Sequence, residues 1–193
     1  MDTTHPENEP APSAEGLRAI AEHAITFAAT QKTLVLATCN RDGLPEASYA
    51  PFVEHDGDYY VYVSELAVHC ANLLIGGRCS IMFIADEAQS RNLFARERVV
   101  LQCEISEIAR DTPGFEHAMT AMTQKFGSTM KVIGKLTDFH LFKLAPVDGG
   151  YVGGFAKAYR LSGEKLREIR WRNEKGHRTD DESVRRKMDS MLQ

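Results

Sequence analysis

Two β-rich runs, KTLVLATCN and PEASYAPFVEH, meet across an Asp-Gly pair at 42–43, the strongest short-range signal for a hairpin. A second Asp-Gly pair at 56–57 leads straight into GDYYVYVSE, a third run of the same texture. RCSIMFIAD, RVVLQCEISEIA and FHLFKLAPVDGGYVGGFAKAYRL add a fourth strand, a fifth, and one or two closing strands. Short strands in this number, without regular strand–helix alternation, do not build a doubly wound sheet. Such a chain must hide its sheet edges, and closing the sheet on itself removes them. The expectation is a mainly β chain with flanking helices, folded as a small closed or partly closed barrel of about six strands.

Helical texture interrupts the strands in three places. Over residues 17–30, Leu17, Ile20, Ala21, Ala24, Ile25 and Ala28 recur at helical spacing. HCANLLIGG reads as a short helix stopped by glycines, and PGFEHAMTAMTQKFG has Pro113 at its start and Gly127 at its end. Residues 1–16 are rich in Pro, Glu, Ser and Thr and are expected to be disordered. After Leu166 the chain is highly charged, and DDESVRRKMDSMLQ reads as a final helix capped by Asp180 or Asp181. The expected organisation is therefore 1–16 disordered, 17–166 a barrel domain with its N-terminal helix, and 167–193 a charged loop or helix. A chain of 193 residues suits one such domain with a real core.

A net charge of −4 argues against a general nucleic-acid binder. No apolar run reaches the length of a membrane span, and MDTTHPENEPAPSAEG lacks a basic-then-apolar signal, so the expectation is a soluble cytoplasmic protein without a membrane partner. Cys39, Cys70, Cys79 and Cys103 sit singly in apolar surroundings with no CxxC or zinc spacing, and read as reduced core residues.

Few residues point to chemistry by themselves. GGYVGGFAKAY matches neither phosphate-loop pattern; its glycines let a strand bend or a ligand approach the backbone. In LFARER, Arg96 and Arg98 stand two apart at the start of a strand, which would aim both guanidiniums at one face. Such a pair either forms salt bridges or clamps a carboxylate or phosphate. His69 in ELAVHCANL reads as a helix histidine, and His140 alternates with Phe139 and Leu141 as a surface position. His5, His23, His55 and His117 have no supporting context, and Asp138 suits a turn or cap. His177, behind Gly176 in RNEKGHRTDD, reads on its own as a solvated histidine. No Ser/His/Asp or Cys/His arrangement and no carboxylate cluster is visible. Spacing alone stops at a small soluble β-barrel with a candidate anion site.

Taken in order, TLVLATCNRDGLPEASYAPFV, YVYVSELAVHCANL, CSIMFIADE, LFARERVVL, LTDFHLFKLAPVDGGYVGGFAKAYRL and KGHR resemble the haem-utilisation, haem-degrading split-barrel proteins, relatives of pyridoxamine 5′-phosphate oxidase. The resemblance spans residues 32–178. It implies a six-stranded split barrel, a homodimer, and ligand sites at the subunit interface. His177 matches the histidine that ligates haem iron. Asp138 matches a carboxylate that hydrogen-bonds that histidine from the partner subunit. Arg98 matches an arginine of the haem pocket, beside Arg96, and His69 matches a nearby pocket histidine. A carboxylate accepting the ring N–H would fix the tautomer and raise ligand basicity. The implied activity is oxidative ring opening of haem b, with electrons from an external donor. Two departures stand out: Gly154-Phe155-Ala156 replaces the more usual GFG, and the chain runs on some fifteen residues past Arg178.

Two other functions fit the same resemblance. One is an FMN-binding oxidoreductase, with Arg96, Arg98 and hydroxyls such as Ser48 holding the phosphate. The other is a haem storage or chaperone protein that binds without turnover. KGHR favours haem over flavin, because a flavin site needs no such ligand.

Overall fold

The computed structural model describes residues 12–172, 181–184 and 187. Eight strands, β1 (Thr33–Cys39), β2 (Pro45–His55), β3 (Asp58–Ser64), β4 (Arg78–Ile84), β5 (Arg98–Ile108), β6 (Phe139–Gly154), β7 (Lys157–Ser162) and β8 (Glu168–Trp171), form one sheet in the order β3-β2-β1-β4-β5-β6-β7-β8. β3 also pairs antiparallel with β6, from Tyr59↔Leu144 to Ser64↔Phe139. That pairing closes six strands into a barrel and leaves β7 and β8 as an extension of β6. The sixteen residues of β6 make this possible: its first half pairs with β3, its second with β7, and β5 runs along both.

The turns follow from local chemistry. Asn40 accepts the amides of Asp42 and Leu44 on its carboxamide oxygen (2.9 and 3.0 Å), and Gly43 takes φ 77° between them. Asp56 and Gly57 both have positive φ, 54° and 85°, the conformation a tight hairpin turn demands. Along β1 and β4 every second residue is buried, so one face fills the barrel and the other faces out. Leu34, Leu36, Phe52, Val61, Ile81, Phe83, Phe142 and Leu144 make the interior, with Phe52, Tyr59 and Phe83 in mutual ring contact. Each such side chain contributes about 1.5–3 kcal/mol by leaving water.

Among the described residues, helices α1 to α4 flank the barrel. α1 (Ala14–Thr30) packs Ala24 and Ala28 on the core. It starts three residues before the apolar spacing does, because the Ser13 hydroxyl accepts the Gly16 amide as N-cap (3.1 Å). α2 (Val68–Ile75) ends at Gly76, φ 79°. α3 (Pro113–Phe126) and α4 (Ser128–Ile133) cover the outer face of β2, β3 and β6, burying Met122 and Met130 against Val53, Tyr62 and Leu141. Two elements were not expected. α4 follows the α3 stop at Gly127, and β8 extends the sheet beyond residue 166, pairing Trp171 with Tyr159. Cys70, Cys79 and Cys103 are buried, whereas Cys39, at an outward position at the end of β1, is exposed rather than part of the core. Asp181 accepts the amides of Ser183 and Val184 (2.8 and 3.3 Å) on its side chain, as an N-cap does, and residues 182–184 are helical. No helix among the described residues is long and apolar enough to cross a membrane.

Candidate functional site

Asp138 sits in the turn that feeds β6, half-buried. The Ser64 hydroxyl donates to its carboxylate (3.0 Å) and the Glu65 amide donates to its carbonyl (2.8 Å). Arg110 fixes the same turn by donating to the carbonyls of Leu136 and Phe139 (2.6 and 2.9 Å) and to the Tyr62 hydroxyl. The carboxylate is thus held on one side and retains acceptor capacity on its other lone pairs. His69 occupies the next corner, as the second residue of α2 and five residues after Ser64. Partial burial lowers its pKa, with Glu46 opposing, so the ring is neutral at pH 7.

Arg98 opens β5 on the outward face, in register with Val152. Its guanidinium donates to the Arg96 carbonyl (3.0 Å) and borders a groove of about 290 Å³. Gly150, Tyr151, Tyr159 and Arg172 line the same groove. A side chain at Gly150 would meet nothing closer than the Tyr159 carbonyl, at 3.6 Å, so the absence of one keeps this wall bare. Asp148 also lines the groove, but Arg160 binds it through two nitrogens (3.2 and 3.0 Å) and lowers its pKa. Arg98 and Arg172 are left to set the local charge, and an anionic, partly apolar ligand suits this slot.

Arg96 does not join them. It lies ahead of β5, where the alternation of a strand does not operate, and its guanidinium turns back to the Ala85 carbonyl and to Glu87 (3.5 Å). Its Nε is buried without a hydrogen-bond partner among the described residues. The spacing predicted one shared face and left salt bridges and an anion clamp open; the pair is instead split into one arginine held by Ala85 and Glu87 and one facing the groove. Ser48 likewise donates to the Leu36 carbonyl (3.3 Å).

Asp138 and Arg98 stand at opposite ends of the β5–β6 ladder. Arg98 pairs with Val152, whereas Leu141, three residues after Asp138, pairs with Ile108. The ten steps of β5 between 98 and 108 amount to about 33 Å of strand contour at about 3.3 Å per residue. One copy of the chain does not bring the two residues together. His177 lies outside the described residues.

Residues 20–153 match the family profile of pyridoxamine 5′-phosphate oxidase. The chain belongs to this split-barrel family. Within it, a Vibrio cholerae protein named heme oxygenase HutZ is 39% identical over 152 residues, which is 79% of this chain and 86% of that protein. The crystal structure of HutZ, there called the haem storage protein from Vibrio cholerae, aligns with TM-score 0.66 and 35% identity over 69% of this chain and 94% of that one. Campylobacter jejuni ChuZ aligns with TM-score 0.76 and 27% identity, covering 84% of this chain and 66% of ChuZ. A haem binding protein from Mycobacterium smegmatis aligns at 0.67 and 27%, covering 76% and 59%. The span matched by the family profile, residues 20–153, includes both Asp138 and Arg98.

Two polar clusters escaped the sequence. His140, read as a surface position, is largely enclosed, with Nδ1 2.7 Å from Glu107 and Nε2 2.8 Å from Glu65. The hydrogen bond to Glu107, then that to Glu65, raises its pKa. His23, which had no sequence context, lies 2.7 Å from Glu97, the same carboxylate oxygen that accepts the Tyr151 hydroxyl (2.8 Å). Their partners are 33 to 75 residues away along the chain, and no local pattern announces contacts at that range. Among the described residues no group of three or more His, Cys, Asp or Glu is placed to hold a metal.

Proposed function

We propose that two copies of this chain bind haem b at their interface and degrade it oxidatively to release iron, using electrons from an external donor. His177 is the iron ligand, Asp138 of the partner subunit accepts its ring N–H, Arg98 meets the propionates, and neutral His69 borders the pocket. The observation that carries this reading is the separation of Asp138 from Arg98 along β5 and β6: residues matching two parts of one haem pocket need a second copy to share it. The exposed apolar side chains agree with such pairing. Leu66 lies beside the Ser64–Asp138 corner and Phe94 beside the arginines, each 93% exposed, and exposed apolar surface of this kind marks contact sites.

The bare, glycine-walled groove with Arg98 and Arg172 fits a flat ligand that carries carboxylates. Haem, when bound, supplies the oxygen and electron chemistry of ring opening. The chain's own part is to bind and orient it. Asp138, steadied by Ser64 and by the Arg110-held turn, keeps its charge aimed in one direction. A flavin phosphate is less well served, because Arg96 and Ser48 are already committed to backbone carbonyls. The two descriptions of HutZ, oxygenase and storage protein, divide on turnover, and we favour turnover because a carboxylate on the ring N–H raises the basicity of the iron ligand and so tunes the iron for oxygen chemistry. The setting we propose is the cytoplasm, where thiols stay reduced.

The test is a titration of the purified protein with haemin and, separately, with FMN. A saturable Soret band and loss of FMN on desalting are expected. Retained yellow flavin without a saturable haem spectrum would overturn the proposal.

A further inference from the structure

We infer that Cys79 and Cys103 form a reversible disulfide across β4 and β5, driven by hydrogen peroxide. The two residues are direct partners in the antiparallel ladder, two rungs from Ile81↔Leu101, and both point into the barrel at 4% and 0% exposure. Partners in such a ladder have Cα atoms about 4.5 or 5.5 Å apart, and either spacing falls in the roughly 4.4–6.8 Å range that a disulfide spans. The usual spacing of ladder partners is therefore compatible with the bond. Neither of the other cysteines has this arrangement: Cys39 is exposed at the end of β1, and Cys70 lies on α2 with its thiol toward the Val63 carbonyl.

The pair is also asymmetric. The Cys103 thiol points to the Leu101 carbonyl at 4.0 Å, and the interaction between the two thiols lowers the pKa of Cys79 and raises that of Cys103. We take Cys79 as the attacking thiolate and Cys103 as the resolving thiol, and the reverse order gives the same disulfide. Core thiols are ordinarily inert because reagents do not reach them. Here a cavity of about 190 Å³ opens at the end of the barrel beneath α1, and Leu101 and Tyr59 line it. Leu101 is two residues from Cys103 on the same face of β5. Neither sulfur opens onto that cavity, so a small uncharged oxidant has to pass the Leu101 side chain to reach the pair.

The chemistry balances without any other reagent. The Cys79 thiolate attacks one oxygen of the peroxide, the O–O bond breaks, and the departing hydroxide takes up the proton that Cys79 gave away. This leaves a sulfenic acid and one water. The Cys103 sulfur then attacks the Cys79 sulfur, the S–O bond breaks, and the hydroxyl leaves with the Cys103 proton as a second water. The two thiols lose two electrons and one peroxide becomes two waters. The product staples β4 to β5, the strand that begins with Arg98.

The test uses the full chain carrying Cys39→Ser, so that the exposed thiol cannot couple two molecules. After exposure to hydrogen peroxide the protein is denatured in N-ethylmaleimide and its mass and unreduced peptides are measured. The expected result is a chain lighter by two hydrogens, one peptide pair joined through Cys79 and Cys103, full alkylation at Cys70, and reversal by dithiothreitol. In Cys103→Ala, dimedone should trap a sulfenic acid at Cys79. Alkylation of all three buried thiols after treatment would overturn the inference, as would separate over-oxidation of Cys79 and Cys103 without a cross-link.

Discussion

His140 gives the sharpest link between structure and a measurable pH dependence. Its two ring nitrogens lie 2.7 and 2.8 Å from Glu107 and Glu65. A neutral imidazole donates through only one nitrogen, so both contacts are favourable only for the imidazolium. Hydrogen bonds to charged groups contribute about 1.5–3 kcal/mol each when well enclosed. The histidine side chain is 22% exposed, but Glu65 and Glu107 are 58% and 47% exposed, and exposed ion pairs fall toward 0–1 kcal/mol. The pair together should therefore contribute about 1–2 kcal/mol. The hydrogen bonds raise the folded-state pKa above the ordinary histidine value of about 6.5. The contribution is then complete below about pH 6.5, while the glutamates remain ionised, and disappears as pH rises through the folded-state value.

His140→Gln retains a donor for one carboxylate but never carries a charge. Urea unfolding of both proteins should show the wild type more stable by about 1–2 kcal/mol near pH 6, with the gap closing toward about pH 9. A gap that stays constant across that range would refute the imidazolium clamp. The same clamp reaches the candidate site, because Glu65 also donates its amide to the Asp138 carbonyl.

Arg96→Ala should cost about 1–2 kcal/mol of unfolding free energy, since it strips the Ala85 carbonyl of its charged donor; Arg98→Ala should instead lower haemin affinity roughly tenfold or more, read by titration. The reverse assignment would mean that Arg96 faces the ligand. Ala156 holds φ 58°, which costs an L-residue roughly 1–2 kcal/mol, so Ala156→Gly should stabilise by about 0.5–1 kcal/mol after the added unfolded-chain entropy; a lower urea midpoint would contradict the strain. His177→Ala should shift the Soret band and weaken haem binding, while Asp138→Asn should bind haem but slow its ascorbate-driven loss by about 10–100-fold. Wild-type spectra, affinity and rate in His177→Ala would reduce that residue to a solvated loop histidine.

What the sequence revealed, and what it concealed, follows the range of the interactions concerned. Asp42-Gly43 and Asp56-Gly57 marked their turns because a tight hairpin is a local backbone problem. The alternation in TLVLATC and RCSIMFI marked strands for the same reason. β8 was hidden because EIRW has only four residues, two of them charged, inside a charged tail. Arg96 was misplaced by applying strand periodicity two residues too early, across the end of a 3-10 turn. His140 looked solvated because its carboxylates arrive from β5 and from the residue after β3. The closure itself, Tyr59↔Leu144 to Ser64↔Phe139, joins segments about eighty residues apart and leaves no local trace. The candidate site is the extreme case of this rule. Arg98 was legible from its spacing as half of a candidate anion pair and the role proposed for Asp138 only through resemblance, and a single chain sets the two at opposite ends of a ladder. A pocket that needs both has its decisive contacts between molecules, where neither the periodicity of one sequence nor the fold of one copy records them.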